Sequence, residues 1–103
     1  MASKYRAVRT NGYSSKREAE YAANLAILAR AGKIHFLQEQ VSFDLLPAAP
    51  YPHCKRPLRY IADFSYFENG ERHVVDVKGF RTKEYLIKRR LMAQLLGIVI
   101  EEV

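Results

Sequence analysis

Two acidic residues and one lysine interrupt stretches of the sequence that are otherwise typical of apolar strands. Asp63 lies within LRYIADFSYF, and Asp76 and Lys78 lie within HVVDVKGF. A carboxylate inside a buried strand is costly unless a cation compensates its charge. Because residues i and i+2 of a strand point to one face, Asp76 and Lys78 project together while Val77 projects into the core.

These residue types can perform chemistry on a phosphate. Two carboxylates held close together raise each other's pKa unless a cation intervenes, and Mg²⁺ prefers such oxygen ligands. Lys78 could orient or deprotonate a water, or stabilise the charge that develops on a phosphate. The pattern Asp-x-Lys alone is a weak signal that a surface ion pair would also explain. The preceding strand Asp and the order of the elements favour the catalytic interpretation for Asp63, Asp76 and Lys78.

A hairpin must bring these residues together. The segment 58–67 is rich in aromatic and β-branched residues, and Glu68-Asn69-Gly70-Glu71 is a turn signal before the strand at 73–80. Residues 34–46 predict a preceding strand. The connection between them, 47–57, contains four prolines, which predict an irregular segment.

Two helices and a last strand complete the pattern. The first helix begins at Ser14 and stops at Gly32, and its apolar face comprises Ala19, Ala22, Leu25, Ala26, Leu28 and Ala29. The second helix, 82–96, ends at Gly97. Its predicted inward residues are Leu86, Ile87, Leu91, Leu95 and Leu96. The closing IVIEEV is a short strand that can join the sheet in parallel after the helical crossover.

The sequence therefore predicts an α/β fold in the order α-β-β-β-α-β, with a mixed central sheet flanked by helices. Residues 1–13 are predicted to form a basic N-terminal arm, and residues 14–103 a single domain. With 17 Lys and Arg against 11 Asp and Glu, the formal charge of +6 favours polyanionic partners. The lone Cys54 cannot form an intramolecular disulfide, and no signal peptide or membrane span is evident, so we expect a soluble cytoplasmic protein.

The succession SSKREAEY, FLQEQ, YIADF and VVDVKGF resembles the core of the PD-(D/E)XK nucleases, and most resembles small endonuclease-like proteins of phages and prophages. The resemblance covers about residues 11–103. It implies a restriction-endonuclease-like fold and a DNA hydrolase dependent on Mg²⁺ or Mn²⁺. The superfamily includes Holliday-junction resolvases, and its small members often act as homodimers.

The family's motifs can be carried over residue by residue. The first acidic motif falls on Asp63, although Ala62 stands where the name-giving proline would be. The second falls on Asp76 and Lys78, and the resemblance implies that the carbonyl of Val77 completes the metal shell. The acidic residue of the first helix falls on Glu18, or alternatively on Glu20. Glu18 is also explained as part of a capping box that begins at Ser15.

Several basic residues are candidates for DNA backbone contacts, although ordinary solvation explains them equally well. They are Lys16 and Arg17 on the first helix, Lys55 and Arg56 in the proline-rich connection, and Lys83 and Lys88 on the second helix. His53 and Cys54 are adjacent but lack the further ligands that a zinc site requires. Gln38 and Gln40 are interpreted as exposed strand residues rather than catalytic ones.

The expected function is metal-dependent hydrolysis of DNA, with a resolvase of branched DNA as the preferred form. A nicking or single-strand nuclease, or a subunit of a phage recombination or packaging machine, fits the same residues. Two alternatives of other classes remain: a non-catalytic nucleic-acid-binding module that keeps the fold, and a purely structural interaction protein. The second is disfavoured by two carboxylates in apolar strands.

Overall fold

The computed structural model describes residues 12, 13 and 15–103. In this part of the chain a four-stranded sheet is flanked by two helices. The elements are α1 (Lys16–Arg30), β1 (His35–Leu46), β2 (Leu58–Glu68), β3 (Glu71–Asp76), α2 (Lys83–Leu96) and β4 (Glu101–Glu102). The strand order is β1-β2-β3-β4, in which β1, β2 and β3 are antiparallel neighbours and β4 runs parallel to β3. The predicted α-β-β-β-α-β order and mixed sheet are confirmed.

Most of the predicted basic arm, together with Ser14, lies outside the described residues, to which only Gly12 and Tyr13 of the arm belong. Within the described part of the chain, neither helix is long and apolar enough to cross a membrane.

Local signals define where the helices and the hairpin begin and end. At α1 the Ser15 hydroxyl accepts a hydrogen bond from the Glu18 N–H at 3.0 Å, which is the N-cap half of the predicted capping box. Helix α2 ends at Gly97, whose φ of +70° is the left-handed conformation common after a helix. Asn69 and Gly70 also have positive φ, at 55° and 78°, as a two-residue hairpin turn requires.

Each face of the sheet carries its own core. The core on the α1 side consists of Ala22, Leu25, Ile34, Phe64, Tyr66 and Val75. The core on the α2 side consists of Phe43, Leu45, Tyr60, Ala62, Val74, Tyr85, Met92 and Ile100. The central part of the sheet is therefore packed between the two helices in three layers, whereas most of β1 is exposed.

The predicted inward face of α2 is wrong. Tyr85 and Met92 are its buried residues, whereas the predicted residues Leu86, Ile87, Leu95 and Leu96 are exposed and Leu91 is half-buried. Periodicity identifies a broad apolar stripe but not its centre, and here the two bulky side chains that reach the sheet set the rotation of the helix. On α1, Leu28 is likewise exposed, because Ala19, Ala22 and Leu25 form the contact instead.

Strand β2 changes the direction of its side chains at Asp63. Ala62 belongs to the core on the α2 side, whereas Phe64 belongs to the core on the α1 side. In a regular strand these two residues would share a face. The register of β1 with β2 places Gln40 opposite Asp63, and Gln40 has a φ of 52°, which is unusual for a residue with a side chain. The sheet is thus locally irregular where Asp63 lies.

Candidate active site

Strands β2 and β3 separate at the two acidic residues. Their backbone pairing runs from the turn as far as Phe64 and Val75. Beyond that pair, the Asp63 N–H donates to Oδ1 of Asp76 at 2.9 Å, and the Val77 N–H donates to Oδ2 of Asp63 at 2.9 Å. One carboxylate oxygen of each Asp therefore takes the place of a backbone carbonyl acceptor. This reciprocal arrangement holds the two carboxylates beside each other where the strands diverge.

Asp76 is a buried carboxylate with an unsatisfied oxygen. Its exposed fraction is 1%, and Oδ2 has no hydrogen-bond partner among residues 12, 13 and 15–103. The ammonium of Lys78 lies 3.7 Å from Oδ2, at ion-pair distance. Burial raises the pKa of Asp76 above its usual value, and the charge of Glu18 adds to this, whereas the Asp63 N–H and Lys78 oppose the rise. A further cation near Oδ2 would favour the ionised form.

Lys78 is held from several directions. Its ammonium lies 4.0 Å from the centroid of the Tyr85 ring, within the range of a cation–π interaction. Its backbone N–H donates to the Val103 carbonyl at 3.2 Å, and its own carbonyl accepts from Nη1 of Arg17 at 3.1 Å. The ammonium is therefore fixed between Asp76 and an aromatic face instead of extending into solvent.

Tyr85 is in turn anchored to the last strand. Its hydroxyl donates to Oε2 of Glu102 at 2.6 Å, and Arg89 donates to the same oxygen at 2.8 Å. Arg81 donates from Nε to Oε1 of Glu102 at 2.8 Å. The hydrogen bonds from Arg81 and Tyr85 lower the pKa of Glu102 to about 2. Burial and the neighbouring Glu102 raise the pKa of the Tyr85 hydroxyl.

Tyr85, Arg81 and Glu102 were not predicted as site residues from the sequence. Glu102 carried the same signal as the two aspartates, since it interrupts the apolar stretch IVIEEV. Its partners lie 13 to 21 residues away in sequence, at separations no local pattern reveals.

Glu18 and Glu20, the two alternatives for the acidic residue of the first helix, differ in their surroundings. Glu18 is only 6% exposed and lies close enough to Asp76 to raise its pKa. Glu20 is exposed to solvent. The contact of Arg17 with the Lys78 carbonyl also places the first turn of α1 at this edge of the sheet. The geometry thus associates Glu18, and not Glu20, with the two aspartates.

Asp63 and Asp76 are the candidate protein ligands for a divalent cation. Residues 12, 13 and 15–103 contain no group of three His, Cys, Asp or Glu side chains close enough to hold a metal. Mg²⁺, however, is commonly bound through one or two carboxylates together with waters and substrate phosphates. Asp63 and Asp76 meet that requirement, and the unsatisfied Oδ2 of Asp76 is the atom that a cation would stabilise most. The residues present therefore fit a Mg²⁺ site with few protein ligands.

A groove of about 280 Å³ adjoins the site. Its lining includes three cationic side chains, Arg59, Lys78 and Lys88, and one carboxylate, Glu84. The remaining lining residues are Tyr60, Ile61, Thr82 and Tyr85. Each of these cations is paired with a carboxylate: Lys88 with Glu84 at 3.0 Å, Arg59 with Asp44 at 2.8 Å and Lys78 with Asp76 at 3.7 Å. We refer to this depression as the basic groove.

The other predicted DNA contacts are not gathered at the acidic pair. Lys16 and Lys83 are exposed at the first residues of α1 and α2. Lys55 and Arg56 are exposed in the connection before β2, where they line a separate depression with His53. Arg17 and Lys88 are thus the predicted basic residues that lie beside Lys78 or in the basic groove.

One comparison with known proteins gives a match. The family model described as "Protein of unknown function (DUF1064)" matches residues 2–97. No curated protein and no solved structure matches the chain. Because the family model spans nearly the whole sequence, the chain belongs to the DUF1064 family.

Proposed function

We propose that this protein is a metal-dependent endonuclease that hydrolyses DNA phosphodiester bonds. The observation that carries the proposal is the buried, unsatisfied Oδ2 of Asp76, which lies 3.7 Å from the Lys78 ammonium. Lys78 also lines the basic groove, so the residue paired with Asp76 adjoins a surface that carries further cationic side chains. A carboxylate pair kept only for stability would not require this combination.

Each residue has a defined role in the proposed reaction. Asp63 and Asp76 would hold Mg²⁺ or Mn²⁺, together with the Val77 carbonyl, and Glu18 would assist directly or through a water. When bound, such an ion lowers the pKa of a water and neutralises charge on phosphoryl oxygens. Lys78 would position the attacking hydroxide or stabilise the charge of the pentacovalent phosphate. These roles agree with the resemblance to PD-(D/E)XK nucleases.

The proposed substrate follows from the character of the basic groove. Arg59, Lys78 and Lys88 offer charge to phosphates, which is contact without base specificity. We therefore propose structure-selective or weakly sequence-selective cleavage. The preference for branched DNA and the setting of phage recombination follow from the resemblance to the PD-(D/E)XK nucleases. A homodimer would place two sites for paired cuts at a junction.

A non-catalytic nucleic-acid-binding module is the second candidate, and a specific observation favours it. The reciprocal hydrogen bonds of Asp63 and Asp76 join β2 to β3 at the point where the two strands diverge. Two acidic residues could therefore be kept as a structural clamp next to a basic surface. This module would bind the same DNA but leave every phosphodiester intact.

Cleavage of a labelled panel distinguishes the two candidates. The panel contains duplex, single-strand, nicked, flap and four-way-junction DNA, each with Mg²⁺, Mn²⁺ or EDTA. We expect metal-dependent products from the wild type, a loss of at least a hundredfold in Asp76→Asn, and full activity in Glu71→Gln. Glu71 is a matched control because it is an exposed carboxylate at the hairpin turn. Binding without cutting in either metal would instead support the module.

A further inference from the structure

An aromatic ring is exposed immediately beside the proposed catalytic lysine. Phe80 is 82% exposed and lies two residues after Lys78. It belongs to the short segment between Lys78 and Thr82, two residues that line the basic groove. A phenylalanine this open to water gains nothing from the hydrophobic effect in the free protein. Its ring is therefore available to a ligand with an apolar face.

The segment that carries Phe80 is anchored on both sides. On one side, Lys78 donates to the Val103 carbonyl and accepts from Arg17. On the other, the Arg81 guanidinium binds Oε1 of Glu102 through both Nε and Nη2, each at 2.8 Å. The Lys78 hydrogen bonds hold the backbone just before Phe80, and the Glu102 contact holds the side chain of the residue after it. The exposed Phe80 ring is carried on this anchored segment.

The neighbouring surface identifies the ligand. Two residues span at most about 7 Å of chain, so the Phe80 backbone lies within one nucleotide's reach of the Lys78 backbone. Lys78 and Arg59 line the groove together with Ile61, an exposed apolar side chain. Arg59 is paired with Asp44, but its side chain is 56% exposed and can also contact a sugar-phosphate backbone. Cationic side chains beside an exposed aromatic ring are the combination that binds single-stranded nucleic acid, where bases stack on aromatic faces.

We propose that Phe80 stacks on the unpaired base of the nucleotide next to the scissile phosphate. This inference rests on the proposed function and specifies its substrate class as DNA with an unstacked nucleotide at the cleavage point. In an intact duplex the base is paired and stacked between its neighbours, and extruding it costs a few kcal/mol. Single strands, flaps and junction branch points present such a base without that cost.

The test uses a short single strand carrying one 2-aminopurine, and the same strand in a duplex, in EDTA so that no cleavage occurs. We expect the wild type to change the probe's fluorescence by stacking in the single strand. We expect Phe80→Ala to lose that change and to bind about tenfold more weakly, whereas Phe80→Tyr keeps both. Phe36→Ala is the matched control, because Phe36 is 79% exposed but packs against Phe67 near the hairpin turn.

Equal binding and equal fluorescence in wild type and Phe80→Ala would overturn the stacking role. Cleavage of the DNA panel with Mg²⁺ is measured in parallel, so that a failure of the stacking role can be distinguished from a failure of the proposed nuclease activity. If the wild type cuts through Asp76 while Phe80→Ala binds normally, the nuclease stands and the stacking role is refuted. If stacking depends on Phe80 but no substrate is cut, stacking of an unpaired base on Phe80 is supported, whereas the nuclease, and with it the position next to a scissile phosphate, is refuted.

Discussion

Divalent cations should stabilise the folded protein through Asp63 and Asp76. Binding to the folded state alone adds RT ln(1 + [L]/Kd) to the free energy of unfolding. A site with two carboxylates and few other protein ligands is expected to have a Kd of roughly 0.1 to 1 mM, typical of weak oxygen sites. At about 10 mM Mg²⁺ the gain is then about 1.4 to 2.7 kcal/mol. For a domain of this size the melting temperature should rise by roughly 6 to 13 °C.

The assay is thermal unfolding followed by circular dichroism at constant ionic strength, with Mg²⁺ titrated against a monovalent salt. The Asp63→Asn/Asp76→Asn double variant should show no specific rise. Each Asn keeps an oxygen that can accept the backbone hydrogen bond seen at 2.9 Å, so the clamp between β2 and β3 is retained. Glu71→Gln removes one exposed negative charge elsewhere and should respond as the wild type does.

The pH dependence of the protein's stability is a second test of the same site. The pKa of Asp76 is raised by burial, so without metal its contribution favours folding below the ordinary value of 3.8. That contribution is lost as the pH rises through the raised pKa. Mg²⁺ requires the ionised form, so the stabilisation by metal should grow over the same pH range. A wild-type protein that Mg²⁺ does not stabilise, or a double variant stabilised equally, would refute the assignment of the metal ligands.

Three further predictions test the surroundings of the site and the fold. Tyr85→Leu removes the ring 4.0 Å from the Lys78 ammonium and should lower the single-turnover rate constant of cleavage about tenfold, whereas Tyr85→Phe, which keeps the ring, should not. Glu102→Gln should lower the free energy of unfolding by about 1 to 3 kcal/mol at pH 7. The pKa of Glu102 is lowered to about 2, so the difference should shrink as the pH falls from 4.5 toward 2 in urea denaturation. Met92→Ala should cost about 2 to 5 kcal/mol and Leu95→Ala less than about 1, because Met92 is fully buried; similar losses in denaturant melts would contradict the observed rotation of α2.

The hairpin and its two aspartates were predictable because their signals are local. The Asn69-Gly70 turn defines the register of β2 with β3, and that register brings Asp63 and Asp76 together. The helix ends were predictable for the same reason, since Ser15 and Gly97 act on the backbone next to them.

Features that depend on distant contacts were not predictable. The rotation of α2 follows from Tyr85, whose hydroxyl binds Glu102 on a strand 17 residues away. The change of side-chain direction at Asp63 accompanies a left-handed Gln40 on the neighbouring strand, a conformation that β-strand periodicity does not anticipate. Both features affect how the site is built without altering the pattern of apolar residues.

Different carboxylate oxygens can serve the stability of the sheet and the proposed catalysis at this point of the fold. Oδ2 of Asp63 and Oδ1 of Asp76 accept backbone hydrogen bonds that would otherwise be lost where β2 and β3 diverge. Oδ2 of Asp76 accepts no hydrogen bond from the described residues and lies beside Lys78. An Asn in place of Asp76 keeps the oxygen that accepts the backbone hydrogen bond and replaces Oδ2 by an amide group. An Ala removes both oxygens. A site kept only as a clamp should therefore tolerate Asn in every assay, whereas a nuclease should keep its fold with Asn and lose its cutting.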